Sequence, residues 1–161
     1  MIELYLLRHA HAGDPMAWDG PDEDRPLSDK GEKQADRLGR FLAGIGFQPD
    51  AIVTSPKVRA AQTAEVVALR LGVPVGVDAR LAGSLGIGAL ESILRDAGDP
   101  ARPILVGHDP DFTELVAILC GASRAPMRKG ALARIDAERP LEPGGGTLRW
   151  LVPPDLLKPE R

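Results

Sequence analysis

The sequence predicts an α/β fold: a three-layer sandwich with a mostly parallel central sheet flanked by helices. Short apolar segments of strand length alternate with segments whose apolar residues recur at helical spacing. Polar clusters rich in His and Arg directly follow three of the apolar segments. That is the arrangement expected at the carboxyl edge of a parallel sheet, where ligands bind. The length favours one domain over residues 1–161.

The first elements are a strand, a loop and a helix. Residues 2–7 are apolar and bounded by charged residues, which predicts a buried strand. Residues 13–27 are rich in Pro, Gly and Asp and are expected to form a loop. Ser28 can then cap a helix. The apolar positions of that helix recur at helical spacing and are Ala35, Leu38, Phe41, Leu42 and Ile45.

A second strand and helix follow. The segment AIVTSP, residues 51–56, predicts a strand that ends at Ser55, and Ser55 is expected to cap a helix with Pro56 at its first position. One face of that helix is apolar, and it should stop at Gly72 with Pro74 beyond. The apolar face consists of Ala64, Val67, Ala68 and Leu71.

The second half of the chain continues the alternation. VPVGV predicts a short third strand, residues near 90–94 a weaker helix, and PILVGHD a fourth strand. The helix after it has four apolar residues in phase, Phe112, Leu115, Val116 and Leu119. Residues 130–137 and 147–152 are expected to close the sheet as a strand pair. Whether these last strands run antiparallel is left open. The EPGGG between them lacks the Lys-Ser/Thr of a P-loop and predicts a turn.

Composition excludes several classes of protein. The net charge of -3 is not the strongly positive charge typical of nucleic-acid-binding proteins. The single cysteine, Cys120, precludes an internal disulfide framework and suits a reducing compartment. No apolar run approaches the ~20 residues that span a bilayer, and the N-terminus lacks the pattern of a signal peptide. We therefore expect a cytoplasmic protein that binds neither nucleic acid nor membrane.

All three histidines lie in clusters at predicted strand ends: RHAH after the first strand and GHD after the fourth. His9 and His11 could bind zinc together with His108 and a carboxylate such as Asp109. However, the large hydrolase barrels that use a His-x-His pair need ~250 residues. No His-x-x-x-His or Cys-x-x-Cys spacing supports a metal site either. A nucleophilic histidine is the alternative.

Arginines at the same edge indicate an anion site. Arg8 precedes His9, Arg59 falls in the first turn of the helix after the second strand, and Arg25 lies in the loop before Ser28. The guanidinium fork donates several hydrogen bonds to an oxyanion, and free N–H groups at a helix start favour an anion too. Together with His9 and His108, these residues predict a phosphate-binding pocket.

Four segments, in order, resemble the histidine phosphatase superfamily, also called phosphoglycerate-mutase-like. LLRHAHA resembles its Arg-His-Gly signature, and RPLSDKGEKQA resembles its Pro-Leu-Ser/Thr block. VTSPKVRAAQTAEVV resembles its Ser-x-x-x-Arg-x-x-Gln-Thr-Ala block, and ILVGHDP its late Gly-His block. The matches span residues 2–120. The small size and the arginine before Pro-Leu-Ser are most similar to the SixA-type branch, the bacterial phosphohistidine phosphatases.

The resemblance implies a phosphoglycerate-mutase-like fold and a metal-independent phosphatase without a cofactor. His9 would be the nucleophile that carries a transient phosphoryl group, and Arg8, Arg59 and His108 would complete a positive pocket. Arg25 would add a substrate contact. The expected partner is a phosphohistidine-bearing protein of signalling or phosphotransfer, which releases phosphate. A phosphatase of small phosphomonoesters and a non-catalytic phosphate-binding scaffold are the alternatives.

Two departures from the family pattern have consequences. Ala10 replaces the signature glycine, so the backbone there must be free of positive φ. Many relatives have a glutamate after the third strand as a general acid, but Gly83 and Ser84 stand where it is expected, and Glu91 lies further along on a helix. Whether His11 or Asp109 replaces this acid stays open. The absence of the glutamate predicts weak hydrolysis of phosphate esters.

Overall fold

Six strands form one sheet in the computed structural model, which describes residues 1–159; the last two residues of the predicted domain, 160 and 161, lie outside the described residues. The strand order is β3-β2-β4-β1-β5-β6. The strands are β1 (Ile2–Arg8), β2 (Ala51–Thr54), β3 (Val75–Val77), β4 (Pro103–Gly107), β5 (Leu132–Ala137) and β6 (Gly146–Val152).

The pairing confirms the predicted sheet. Strands β1 to β4 form three parallel pairs, with β4 between β1 and β2. Leu7 of β1 and Thr54 of β2 both lie in register with Val106 of β4, so these three strands end side by side. Strands β5 and β6 close the sheet as an antiparallel pair next to β1. The carboxyl ends of the three central strands therefore meet at one edge.

Four helices cover the two faces of the sheet. They are α1 (Asp29–Gly44), α2 (Val58–Leu71), α3 (Ile87–Asp96) and α4 (Asp111–Cys120). Because side chains alternate along a strand, β1 contributes Tyr5 and Leu7 to one core, which α1 and α2 cover. It contributes Leu4 and Leu6 to the other core, under α3 and α4. These are the three layers that the sequence predicts.

Two local predictions are wrong. The predicted face of α1 includes Phe41 and Ile45, but these are 39% and 60% exposed, and the helix ends at Gly44. Ser55 and Pro56 precede α2 instead of starting it, and the first helical residue is Val58. The Ser55 hydroxyl accepts a hydrogen bond from the N–H of Lys57 and contacts His108, so it cannot cap the helix as predicted.

Other boundaries agree with the prediction. Ser28 caps α1 through the N–H of Gly31, and Gly72 ends α2 at a φ of 69°. Within residues 1–159, no helix combines the length and the apolar character that crossing a membrane requires.

Candidate active site

The ends of β1 and β4 bring His9 and His108 together. The centroids of the two imidazole rings lie 5.2 Å apart, and both side chains are buried. Arg8 is the last residue of β1, and Ser55 follows the end of β2 on the other side of β4. The sequence prediction that these polar clusters share one edge of the sheet is confirmed by this arrangement.

The hydrogen bond of His9 defines which of its nitrogens can react. Its Nδ1 lies 2.8 Å from the carbonyl oxygen of Ala10, and a carbonyl can only accept, so Nδ1 carries the proton. The unprotonated Nε2 keeps its lone pair. Burial, with smaller effects of the nearby charges of His108, Arg59 and Arg8, lowers the pKa of His9 to about 3. At neutral pH His9 is therefore a neutral imidazole, the form that can act as a nucleophile.

His108 is oriented by Ser55. Its Nε2 lies 2.7 Å from Oγ of Ser55, and that oxygen also accepts a hydrogen bond from the N–H of Lys57 at 3.2 Å. The serine proton is then available to His108 Nε2, which leaves the histidine proton on Nδ1. Burial, followed by the charges of Lys57 and Arg59, lowers the pKa of His108 to about 4. His108 is a neutral hydrogen-bond donor in this state.

Arg8 is held by two groups from the other side of the sheet. Its NH1 donates to the carbonyl oxygen of Met127 at 2.8 Å and lies 3.4 Å from Oδ2 of Asp109. The Asp109 carboxylate also accepts hydrogen bonds from the backbone N–H and the hydroxyl of Thr113. Asp109 is thus an anchor of Arg8 and of the start of α4.

Arg59 and Arg25 share one carboxylate, that of Asp22. NH1 and NH2 of Arg59 donate to the backbone oxygen and to Oδ2 of Asp22 at 2.9 and 3.1 Å, and Nε of Arg25 donates to Oδ1 at 3.2 Å. Burial raises the pKa of Asp22, but the hydrogen bond from Arg25 and the charge of Arg59 outweigh it and hold that pKa below its ordinary value. Asp22 is an ionised bridge between the two arginines.

Asp22 is not predicted by the sequence pattern, although it lies three residues before Arg25. It lies in a single 3-10 turn, Asp22–Asp24, within an acidic stretch typical of a solvated loop. The i,i+3 spacing to Arg25 is the one signal that could have indicated the pair.

Arg25 itself directs its other donors to the backbone. Its NH1 donates to the carbonyl oxygens of Ala12 and Gly13 at 3.0 and 3.3 Å. The side chain is buried next to the pocket, and it fastens the loop that carries Asp22. Its predicted contact with a substrate stays a prediction.

Three buried side-chain nitrogens in residues 1–159 have no hydrogen-bond partner: Nε of Arg8, Nε of Arg59 and Nδ1 of His108. Buried polar groups in folded proteins are nearly always paired, because an unpaired one costs about 1–3 kcal/mol. All three belong to the residues that the sequence singles out for phosphate binding. They are N–H donors without a protein acceptor, on three residues whose charges act on His9.

The backbone after His9 is fastened by the two helices of the same face. The N–H of Ala10 donates to Oγ1 of Thr63 in α2, and the N–H of His11 donates to Oε1 of Gln34 in α1. Within the described residues, Asp99 is the one non-glycine residue with positive φ, so Ala10 has the ordinary backbone that its side chain requires.

The side chain of His11 is held at the start of α1. Its Nδ1 lies 2.7 Å from Oγ of Ser28, the residue that caps α1. The two histidines of the His-x-His pair therefore have different surroundings. Among residues 1–159, no three His, Cys, Asp or Glu side chains are grouped as a metal ion requires.

The stretch in which the family resemblance leads us to expect a general acid has no carboxylate at residues 83 and 84. Gly83 and Ser84 follow the 3-10 turn Ala79–Ala82. Glu91 is engaged elsewhere: Oε2 accepts a hydrogen bond from Arg139 NH2 at 2.7 Å, and Oε1 accepts one from the N–H of Leu141. Asp22 and Asp109 are both paired with predicted catalytic residues, with Arg59 and Arg8 respectively.

The chain is similar to known proteins in sequence and in fold. The family model of the histidine phosphatase superfamily, branch 1, matches residues 4–96. The phosphohistidine phosphatase SixA of Escherichia coli is 27% identical over 98% of this chain and 97% of its own length. The solved structure of the protein histidine phosphatase SixA complexed with tungstate superposes with a TM-score of 0.83 at 26% identity, covering 98% of this chain and all of that one.

A second solved structure shares the fold at lower identity. The mycobacterial glucosyl-3-phosphoglycerate phosphatase in complex with VO3 has a TM-score of 0.68 and 18% identity, covering 92% of this chain and 97% of that one. The fold therefore occurs in phosphatases with substrates of different kinds.

Proposed function

The chain belongs to the histidine phosphatase superfamily, and within it we propose a metal-independent phosphatase that hydrolyses protein phosphohistidine through a phosphoryl group carried by His9. The observation that carries the proposal is the set of three unpaired buried nitrogens, on Arg8, Arg59 and His108, around a neutral His9. They supply donors for the oxygens of a phosphoryl group, and His9 supplies the nucleophile.

The reaction has two displacements. Nε2 of His9 forms a bond to phosphorus as the P–N bond of the substrate breaks, and the substrate ring leaves with the electron pair of that bond. Water then attacks phospho-His9, the pair of the P–N bond returns to Nε2, and phosphate departs with the oxygen of the water. A covalent intermediate divides one difficult step into two easier ones.

Charge stabilisation comes from fixed donors of the protein. Phosphoryl transfer needs positioning and electrostatic stabilisation of the equatorial oxygens more than covalent help. Arg8 is held by Asp109 and Met127, and Arg59 is held by Asp22, so both guanidinium groups are oriented before substrate binds. Preorganised donors of this kind stabilise a transition state most effectively.

The leaving group favours phosphohistidine. An alkyl ester expels an alkoxide, comparable to hydroxide, whose conjugate acid has a pKa of ~15.7, and that step needs a proton from a general acid. A phosphohistidine ring protonated on its other nitrogen leaves as neutral imidazole, whose conjugate acid has a pKa of ~6.5. A site in which Asp22 and Asp109 are paired with arginine is suited to the second reaction, as is the absence of a carboxylate at residues 83 and 84, where the family resemblance leads us to expect the acid.

The test is turnover of a phosphohistidine protein beside aryl and alkyl phosphates. We expect the highest kcat/KM on phosphohistidine, an intermediate value on aryl phosphates, and a value for alkyl phosphates about 10²–10⁴-fold lower, the usual contribution of a general acid. Dialysis against EDTA should leave the rates unchanged. Equal rates on alkyl phosphates would favour a small-phosphomonoester phosphatase, and loss of activity restored by zinc would contradict metal independence.

Trapping the intermediate tests the role of His9. Labelled substrate should leave an acid-labile phosphoryl group on His9, and His9→Ala should abolish both label and turnover while still unfolding cooperatively in urea. Binding of phosphate without turnover or label would identify a scaffold protein instead. Label on another residue would overturn the covalent scheme.

A further inference from the structure

A basic cleft of about 270 Å³ adjoins the phosphoryl pocket and has no place in the reaction described above. Arg8 lines both the cleft and the pocket. Three further cationic side chains line the cleft: Lys30 of α1, and Arg128 and Lys129, which precede β5. Anything that enters the cleft therefore lies next to a phosphoryl group bound by Arg8.

The turn that carries Lys129 is fastened to the reacting strand. The N–H of Gly130 donates to the carbonyl oxygens of both Arg8 and His9, at 3.1 and 3.0 Å, and the N–H of Ala131 closes the turn onto Arg128. Gly130 has a φ of 83°, which favours glycine there. Lys129 thus has a fixed backbone position relative to His9, as a residue that orients substrate requires.

The Lys129 ammonium is half-buried among like charges. Burial, and then the charges of Arg8, Arg25 and Arg59, lower its pKa. In the part of the chain that the structure describes, no carboxylate oxygen lies within 4.0 Å of its amine. An unneutralised cation in such surroundings is stabilised when an anion binds beside it.

The single carboxylate among the residues lining the cleft, Asp155, is engaged by other cations. Its Oδ2 lies 3.9 Å from NH1 of Arg128, and its Oδ1 lies 3.6 Å from Nζ of Lys158. Lys33, also on α1, has a different setting: it lines a separate depression with Asp29, Glu32 and Asp36. The cleft therefore keeps a net positive charge, and Lys33 offers a matched control.

We propose that this cleft is a second anion-binding subsite, in which Lys129 binds a carboxylate that the substrate carries next to its phosphoryl group. The inference deepens the proposed function: in a phosphohistidine protein, the carboxylate is that of an Asp or Glu side chain beside the phosphohistidine. In a small substrate, it is a carboxylate of the same molecule. Lys129 determines specificity and takes no part in bond making.

The experiment compares three phosphohistidine peptides that differ in one neighbour of the phosphohistidine, Glu, Gln or Lys. We expect wild type to prefer the Glu peptide over the Gln peptide by about tenfold in kcat/KM, mostly through KM, and to lose the preference at high salt. Lys129→Gln should abolish the preference, Lys129→Glu should reverse it towards the Lys peptide, and Lys33→Gln should retain it. A preference that is absent in wild type, or unchanged in Lys129→Gln, overturns the subsite.

A second pair of substrates separates this proposal from the proposed function. Phenyl phosphate and a carboxyphenyl phosphate differ by the carboxylate alone and contain no P–N bond. If wild type favours the carboxylated ester in a Lys129-dependent way but does not hydrolyse phosphohistidine, the subsite stands and the proposed function fails. If the peptides are hydrolysed without regard to their charge, the function stands and the subsite fails.

Discussion

At the scale of single residues, the chemistry of the site depends on partners that fix each side chain in one form. The Ala10 carbonyl holds the proton of His9 on Nδ1, Ser55 orients His108, and Asp22 bridges the guanidinium groups of Arg25 and Arg59. His9 and His108, the proposed reacting groups, are recognisable in the sequence because they directly follow strands β1 and β4. Asp22 is not, because its position depends on the path of a loop that no periodicity describes.

Arg59→Lys tests whether the guanidinium group of Arg59 contacts the phosphoryl group. Lysine keeps the charge but loses the planar fork, so it cannot donate twice to Asp22 and still present a third nitrogen to the substrate. We expect kcat/KM to fall by about 10²-fold or more, as on removal of one preorganised donor. Steady-state kinetics on phosphohistidine measure it, with Arg40→Lys on the surface of α1 as the control. Unchanged kinetics would mean that Arg59 does not contact the phosphoryl group.

At the scale of elements, α1 and α2 do more than cover the sheet. The start of α1 supports the backbone after His9, through Ser28 and Gln34, and α2 does so through Thr63. The start of α1 could be predicted because Ser28 has a local capping role. The start of α2 could not, because Ser55 is diverted by His108, which lies 53 residues away in the chain.

Gly31→Ala tests the contact between α1 and the reacting segment. A Cβ on Gly31 would overlap the carbonyl oxygen of His11, so the helix or the segment must move. We expect a loss of about 1–3 kcal/mol in the free energy of unfolding, as in other overpacked sites, and a lower kcat. The control is Gly44→Ala in the last turn of α1, where a Cβ meets nothing within 4 Å.

Urea denaturation and kinetics on phosphohistidine measure both variants. Gly44→Ala should leave kcat unchanged and, at most, stabilise the protein by up to about 1 kcal/mol. Equal behaviour of the two variants would show that the approach of α1 to His11 is not needed.

At the scale of the whole molecule, the order of the strands in the sheet determines which residues come together at the site. Strands distant in the sequence, β1 and β4, are neighbours, and β4 lies between β1 and β2, so His9, Ser55 and His108 converge. The alternation of strands and helices predicts an α/β sheet with its ligands at one edge. The order itself depends on how the two faces pack, which a single sequence does not reveal. The cytoplasmic location and the single domain over residues 1–161 stay predictions.

Burial of two neutral histidines makes the stability of the whole fold depend on pH. The folded pKa is about 3 for His9 and about 4 for His108, against about 6.5 in an unfolded chain. Between these values the unfolded state binds protons that the folded state does not. The stabilisation is therefore fully present above pH ~6.5 and is lost as the pH falls towards 4. Each histidine contributes a slope of about 1.4 kcal/mol per pH unit in that window.

His9→Gln should remove one of these two contributions, because glutamine does not titrate. Between pH 4.5 and 6.5, we expect its free energy of unfolding to fall less steeply with decreasing pH than that of wild type, by about 1.4 kcal/mol per pH unit. Carboxylates with lowered pKa, such as Asp136, begin to lose their contribution below about pH 5, but they do so equally in wild type and variant, so the difference between the two slopes is unaffected. Urea denaturation across the pH range measures the slopes, and His108→Gln should give a similar reduction. Parallel curves for wild type and His9→Gln would show that folding does not lower the pKa of His9, which would contradict its burial as a neutral imidazole throughout this window.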